Sequence, residues 1–146
     1  MSAAGSNVLA MDIRFVAGFG PIGTAGGRSL EFWSGALGIP FEEPAPGYRA
    51  NDSLEGVKAF AIWPLEQAAE STFGAPEWPR GHTVPQAWIE FDVDDAEAVA
   101  AAAAELEASG HELLKPATLE PWGQWTARLQ SPEGLLVGVS YTPWMH

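Results

Sequence analysis

The sequence predicts one α+β domain of two βαβββ modules that form a curved mixed sheet around a cup. The order of strand-like and helix-like segments in residues 86–142 is repeated in residues 11–64, and residues 65–85 between them are typical of a connector with one short helical piece. With 146 residues, the chain is long enough to bury a single core. Because neither module could cover both faces of its own sheet, we expect the modules to join edge to edge around a ligand-binding concavity.

The second module opens with a strand whose side chains alternate between apolar and polar. Residues 87–93 show this period of two, so one set of side chains backs onto the following helix and the other points into the cup. The cup-facing set is Trp88, Glu90 and Asp92. A helix is predicted from Asp94, a capping residue, to the stop at Ser109-Gly110. Three further strands are predicted at residues 111–115, 125–130 and 135–141.

The first module fits the same template with shorter elements. A strand is predicted at residues 13–20, and the same alternation turns Phe15, Ala17 and Phe19 toward the cup. A helix is predicted at residues 29–37, where Trp33 belongs to an apolar stripe and is better explained as a core residue. Three short strands are predicted to follow, at residues 39–42, 48–51 and 57–63.

Composition and charge exclude several classes of function. Seven basic and 19 acidic residues give a net charge of −12, and the chain has no cysteine. Thiolate catalysis, sulfur-bound zinc and disulfides are therefore excluded, and a nucleic-acid partner is not expected because phosphate binding relies on Lys and Arg. Neutral or cationic small molecules are favoured. The sequence shows no leader-like or membrane-spanning stretch, so we expect a cytoplasmic protein without a membrane partner.

One glycine motif resembles a dinucleotide-binding loop, but its context argues against that function. Residues 18–23 match the spacing GxGxxG after a predicted strand. Pro21 removes a backbone donor from this loop, and the predicted helix begins several residues after the third glycine. A nucleotide cofactor is therefore not expected.

Several short segments resemble the glyoxalase, bleomycin-resistance and extradiol-dioxygenase superfamily, also called vicinal oxygen chelate proteins. They are residues 30–38, 93–95, 121–123 and 131–134, in the same order on the two modules. The Glu-Phe-Trp and Pro-Trp-Gly pieces look most like the bleomycin-resistance branch. The resemblance implies the cup-shaped fold, a small-molecule ligand and a homodimer.

The resemblance also implies a divalent metal in the catalytic members of the superfamily, held by His, Gln or Glu side chains. Counted from the matching segments, those positions fall on Phe15, Trp88, Gly138 and either Ala59 or Ala61. None of these side chains offers an oxygen or imidazole donor. We therefore expect neither a metal nor another cofactor.

The aromatic residues at these positions suggest a binding site instead. Flat apolar ligands stack on such rings, and carboxylates beside an indole complement a positive charge. The candidate ligand-binding residues are Phe15, Phe19, Trp63, Trp88, Glu90, Asp92 and Trp122. We expect metal-independent sequestration of a small aromatic or cationic molecule, with antibiotics among the candidates.

Two alternatives stay open at this stage. An enzyme of the same fold could act as a lyase, isomerase or oxygenase, either with metal or without metal through Glu90 as acid or base. Arg128 could anchor an anionic group in the cup or point outward.

Overall fold

The computed structural model describes residues 11–23 and 27–146. Its strands are β1 (Phe15–Gly23), β2 (Glu42–Ala45), β3 (Tyr48–Asn51), β4 (Phe60–Pro64), β5 (Ala87–Asp92), β6 (Lys115–Leu119), β7 (Trp125–Gln130) and β8 (Leu136–Tyr141). Its helices are α1 (Arg28–Leu30, continued as π-helix by Glu31–Ala36), α2 (Leu65–Phe73) and α3 (Ala96–Ala108), and a 3₁₀ turn covers Pro143–Met145. Within these two ranges, no helix is both long and apolar enough to cross a membrane.

The strands of the described chain form one eight-stranded mixed sheet in the order β2-β3-β4-β1-β5-β8-β7-β6. The first strands of the two modules, β1 and β5, pair antiparallel at its centre. Each of them pairs in parallel with the last strand of its own module, β4 or β8. The modules therefore join edge to edge within one chain, and the predicted fold class is confirmed.

In the second module, α3 closes the outer face of the sheet. The N-cap is Asp95 and not the predicted Asp94, because the Asp95 side chain accepts a hydrogen bond of 2.8 Å from the amide of Ala98. Val99 and Ala102 are buried against Ala127 and Val139 of the strands beneath. Removing this apolar surface from water is what holds the helix in place.

In the first module, α1 covers its strands much less completely, and none of its residues is buried. Trp33 and Phe19 both pack edge-on against Phe60, with ring centroids 5.6 and 5.4 Å away. Phe32 and Leu37 remain 54% and 55% exposed. The apolar stripe that was predicted for this helix therefore contacts the sheet through the half-buried indole of Trp33.

Two predicted strands begin later in the structure than the periodicity suggested. Residues 109–111 extend the end of α3 through a positive φ of 93° at Gly110 and a bond from the His111 amide to the Leu106 carbonyl, so β6 starts only at Lys115. The first hairpin turns at residues 46–47, and the pairing of Ala45 with Tyr48 places β2 after residues 39–41. Turn geometry sets the register of both segments.

A bulge in β1 overturns the predicted orientation of Phe19. The pairing with β5 shifts between Val16 and Gly18, which inserts one extra residue into the strand. Phe15 still lies opposite Asp92 on the cup side, but beyond the bulge it is Gly18 that lies opposite Glu90. Phe19 therefore points to the outer face, where it packs against Phe60 and is 43% exposed.

Candidate functional site

The concave face of the sheet encloses a cavity of about 860 Å³ that both modules line. This volume lies within the range of small-molecule sites, roughly 300 to 1,000 Å³. Its aromatic lining residues are Tyr48, Trp63, Trp88, Trp122 and Trp144, and its main polar ones are Asp52, Lys58, Glu90, Gln124, Arg128 and Thr142. Of the seven predicted ligand-binding residues, Trp63, Trp88, Glu90 and Trp122 line this cavity.

Trp88 forms part of the cavity floor because Gly18 leaves space for its indole, while Gly20 allows β1 to approach β4 closely. A Cβ on Gly18 would lie 2.9 Å from the ring of Trp88, and one on Gly20 would lie 1.9 Å from the carbonyl oxygen of Ala61. The indole reaches across β1 and donates a 3.0 Å hydrogen bond to that carbonyl. Gly18 therefore serves the packing of an aromatic ring and Gly20 the close approach of two strands, so a residue with a side chain at position 20 does not fit.

Trp63 stands beside Trp88 with ring centroids 6.1 Å apart in an edge-on arrangement. The guanidinium carbon of Arg128 lies 4.9 Å from the centroid of the Trp63 ring, at cation-π distance. Both indoles are less than 10% exposed, so they present a rigid apolar surface to a ligand. Arg128 points into the cup, which settles the choice that the sequence left open.

Glu90 and Arg128 meet because a glycine stands between them in the sheet. Gly138 pairs with Glu90 on one side and with Arg128 on the other. A Cβ at position 138 would lie only 2.8 Å from Cγ of Glu90, so the carboxylate uses the space above the glycine. Arg128 approaches one carboxylate oxygen of Glu90 at 3.4 Å, and the Gln124 amide donates to the other at 2.9 Å.

A second ion pair lies behind Arg128, away from the cavity. Arg128 donates to Glu120 at 3.0 Å, and Lys115 contacts the same carboxylate oxygen at 2.7 Å. The Ser71 hydroxyl accepts from Arg128 at 2.7 Å and donates to Glu120 at 3.0 Å. Glu90 and Glu120 are thus balanced by two basic side chains, which offsets the cost of burying charge.

Asp92 does not line the cavity, although its side chain lies on the cup face of the sheet. It is fully buried, and its oxygens accept from the Thr142 amide at 2.6 Å and the Thr142 hydroxyl at 2.9 Å. The His146 ring nitrogen Nε2 lies 2.9 Å from Oδ2. Because these groups satisfy the carboxylate, its predicted contact with a ligand cation has no support in the geometry.

Phe15 also lies outside the main cavity. Its ring packs 5.1 Å from the His146 ring, and the Lys58 ammonium stands 4.8 Å from its centroid. Phe15 and Lys58 line a smaller neighbouring depression. Of the predicted aromatic wall, Phe15 and Phe19 are therefore displaced from the cavity, the latter to the outer face.

The mouth of the cavity carries two exposed tryptophans. Trp122 is 49% exposed, and its indole donates a 3.0 Å hydrogen bond to the Gln124 side chain. Trp144 is 61% exposed and belongs to the 3₁₀ turn after β8. Sequence reasoning missed Trp144, Gln124 and Tyr48, since each reaches the cavity from a turn or a short strand without a periodic pattern.

Tyr48 faces the cavity with a strongly perturbed hydroxyl. Its removal from water, followed by the negative charge of Glu90, raises the pKa of Tyr48 to about 12. The phenol therefore keeps its proton to a higher pH than a solvent-exposed tyrosine does.

The residues of the cup do not fit the metal that the family resemblance implies. Among the described residues, no three His, Cys, Asp or Glu side chains are grouped so that they could hold an ion. The indole of Trp88 fills one of the implied ligand positions and bonds to the backbone of Ala61, a second one. Glu90 takes the space above Gly138, a third position, but the guanidinium of Arg128 beside it disfavours another cation there.

Comparison with known proteins gives relatives by structure and none by sequence. No protein-family model and no curated protein sequence matches the chain. A glyoxalase/bleomycin resistance/dioxygenase superfamily member from Vibrio splendidus 12B01 is similar with a TM-score of 0.55 and 18% identity, over 90% of this chain and all of that one. An NAD-dependent benzaldehyde dehydrogenase from Legionella pneumophila gives a TM-score of 0.58 and 15% identity, over 85% and 96% of the two chains.

A third similar structure is a Mn(II)-bound glyoxalase from Novosphingobium aromaticivorans. Its TM-score is 0.51 at 20% identity, over 90% of this chain and 38% of that one. At such identities these likenesses establish architecture and leave the activity open. Together with the topology of the sheet, they show that the chain has the fold of the glyoxalase/bleomycin resistance/dioxygenase superfamily.

Proposed function

We propose that this protein binds a flat aromatic small molecule non-covalently in the cavity and sequesters it without chemical change. The observation that carries the proposal is the cavity lining, in which five aromatic side chains accompany the hydrogen-bonded polar side chains of Glu90, Gln124 and Arg128. Each ring contact adds roughly 0.5 to 1.5 kcal/mol beyond burial, so a few of them give useful affinity.

The charges of the lining favour an aromatic ligand with a hydrogen-bond donor over a bare cation. Asp52 and Glu90 are matched in number by Lys58 and Arg128, so the cavity has little net charge. Glu90 nevertheless keeps acceptor capacity, because each carboxylate oxygen has two lone pairs and is bonded to one protein donor. An N–H group on the ligand edge is the partner that this site suits.

A more specific form of this proposal is that the bound molecule is an antibiotic, as in the bleomycin-resistance branch of the superfamily. Trp122 lies in the Pro-Trp-Gly segment by which the sequence resembles the bleomycin-resistance proteins. Its half-exposed indole at the cavity mouth suits stacking on a ligand ring.

The homodimer and the cytoplasmic location remain predictions. Sedimentation equilibrium checks the homodimer.

A titration with three probes of different chemistry tests the proposal. Acridone is planar, neutral and carries an N–H donor; proflavine is planar and cationic; tetraethylammonium is cationic without a ring. We expect both planar probes to quench tryptophan fluorescence and to raise the melting temperature, and tetraethylammonium to do neither. Stabilisation by tetraethylammonium alone, or no response to any probe, would contradict the proposal.

The matched variants are Trp122→Ala and Phe32→Ala, which remove two exposed aromatic side chains from opposite faces of the sheet. Loss of the Trp122 contact should weaken acridone binding about tenfold, the equivalent of roughly 1.4 kcal/mol. Phe32→Ala should leave the affinity unchanged. Equal affinities in the two variants would remove Trp122 from the site.

A metal-free enzyme with Glu90 as acid or base is the second candidate. It is favoured by the position of this carboxylate on the cavity wall, 8% exposed and facing the indoles. Cell-derived ligands released from the purified protein separate the two functions. A ligand recovered with unchanged mass and retention time after long incubation supports sequestration, and conversion that Glu90→Gln abolishes supports catalysis.

A further inference from the structure

Residues 142–146, here called the arm, follow β8 and form one wall of the cavity. Thr142, Trp144 and Met145 all line it. Because β8 lies next to β5 and Ser140 pairs with Asp92, the arm emerges directly beside the end of β5. The position of this wall therefore depends on how the arm is fastened there.

The side chain of Asp92 fastens the arm at both ends. Among the described residues, its three hydrogen-bonding partners are the Thr142 amide, the Thr142 hydroxyl and the His146 ring. The His146 ring also packs between Phe15 and Tyr141, with centroids 5.1 and 4.9 Å away. Since a fully buried carboxylate is costly without such partners, lifting the arm would leave Asp92 unsatisfied.

The same hydrogen bonds continue from the arm to the polar group of the cavity. The Thr142 hydroxyl accepts from the Gln124 amide at 2.8 Å, and that amide also donates to Glu90 at 2.9 Å. The oxygen of Gln124 accepts from the Trp122 indole at 3.0 Å. One continuous network thus links Asp92, the arm and the two ligand-facing groups Glu90 and Trp122.

We infer that Asp92 is a positioning residue that holds the arm, with Trp144, as a retaining wall over the bound aromatic ligand. This inference rests on the proposed function, since it assigns a task to the wall of that site. Asp92 itself touches no ligand; it acts through Thr142 and His146. Loosening its bonds should speed ligand escape, because the wall then no longer encloses the ring.

The first readout needs no ligand. The seven tryptophans of the chain, labelled as 5-fluorotryptophan, give separate ¹⁹F resonances that single Trp→Phe variants assign. Asp92→Asn removes the negative charge and one of the two acceptor oxygens that hold Thr142 and His146, and should shift or broaden the Trp144 resonance. Trp33, on the outer face of the first module, is the internal reference and should not move.

His146→Phe is the milder matched variant, since it keeps a ring between Phe15 and Tyr141 but removes the nitrogen that contacts Asp92. It should perturb the Trp144 resonance in the same direction and to a smaller extent. It also keeps the inference testable if Asp92→Asn fails to fold. An unchanged Trp144 resonance in His146→Phe and in any folded Asp92→Asn would overturn the inference.

The second readout is the dissociation rate of acridone measured by stopped-flow fluorescence. We expect Asp92→Asn to raise this rate about tenfold and His146→Phe to raise it severalfold, with Phe32→Ala at the wild-type rate. A moved Trp144 resonance with an unchanged dissociation rate would also overturn the retaining role. If acridone fails to bind the wild type, the proposed function fails, while the ¹⁹F spectra of the free protein still decide whether Asp92 positions the arm.

Discussion

The two modules share a topology but differ in how their helices pack and in which residues they place on the cup face. In the second module, α3 is packed down on its strands, and the cup face carries the buried polar residues Glu90, Asp92 and Arg128. In the first module, α1 buries none of its residues, and β1 carries Gly18 and Gly20 along the floor of the cup. A repeated chain order therefore does not imply a repeated chemistry.

This difference between the modules reflects what each of them contributes to the cup. Gly18 of module one leaves space for the Trp88 indole of module two, which reaches across the boundary and donates to the Ala61 carbonyl. Module two supplies the buried charge network around Arg128, while the charged lining residues of module one are Asp52 and Lys58. The modules thus contribute differently to the cavity: the small residues of its floor come from module one, and the buried charge network comes from module two.

Arg128→Met should break the second module's charge network and give the largest loss of stability. It leaves the buried Glu90 without a counter-charge and Glu120 with Lys115 alone. Breaking such a buried pair costs about 3 to 5 kcal/mol. Urea unfolding followed by circular dichroism measures the change. Adding Glu90→Gln should restore part of the loss, and a loss below about 1 kcal/mol in the single variant would show that the network is solvated.

Gly20→Ala tests the corresponding feature of the first module, the close approach of its strands. The new Cβ would lie 1.9 Å from the Ala61 carbonyl oxygen, so the backbone must shift, at a cost of about 3 kcal/mol. Gly35→Ala is the control, because position 35 lies in α1 with nothing within 4 Å of the new Cβ. It should be neutral or stabilising by up to about 1 kcal/mol. Similar melting temperatures for the two variants would contradict the packing argument.

Truncating one apolar side chain on each helix measures directly how differently α3 and α1 pack against the sheet. Val99→Ala removes two methyl groups from a fully buried site under α3 and should cost about 2 kcal/mol. Leu37→Ala, at the end of α1, removes a side chain that is 55% exposed and should cost less than about 0.5 kcal/mol. Thermal unfolding of both variants gives the comparison. A larger loss for Leu37→Ala would mean that the first helix is covered in solution.

The fold was predictable because it depends on patterns that the chain repeats. In β5 the alternation runs without interruption, and Trp88, Glu90 and Asp92 all lie on the cup face as predicted. In β1 a single extra residue near Ala17 reverses the alternation for Phe19, and nothing in the composition of the strand marks that bulge.

The position of a site residue was predictable only where the alternation within a single strand determines it. Asp92 and Glu90 have the same orientation, yet Asp92 is bound by Thr142, 50 positions away, while Glu90 reaches the cavity. Gly138 matters through the space that it leaves for a side chain of another strand. Such long-range pairings follow from the register of the sheet, which a single sequence does not display.

Tyr48 gives the smallest predicted effect, and it reports on both modules because burial and, to a smaller extent, Glu90 of the second module raise the pKa of this residue of the first. The Tyr48 pKa is raised to about 12 by burial and then by Glu90, whereas an unfolded tyrosine ionises near pH 10. Below about pH 10 the phenol is neutral in both states, so its contribution to stability is fully present; between about pH 10 and 12 the unfolded state loses its proton first, and stability falls as pH rises.

Absorbance at 295 nm after a rapid pH jump measures this ionisation before the protein can unfold. The chain has two tyrosines, so Tyr141→Phe leaves Tyr48 as the only titrating phenol. We expect its midpoint to fall to a lower pH when Glu90→Gln is added, but to stay above the value in denaturant, because burial is the larger cause of the shift. A midpoint unmoved by Glu90→Gln would mean that the carboxylate and the phenol do not face the same cavity, and the two modules would then not enclose one site.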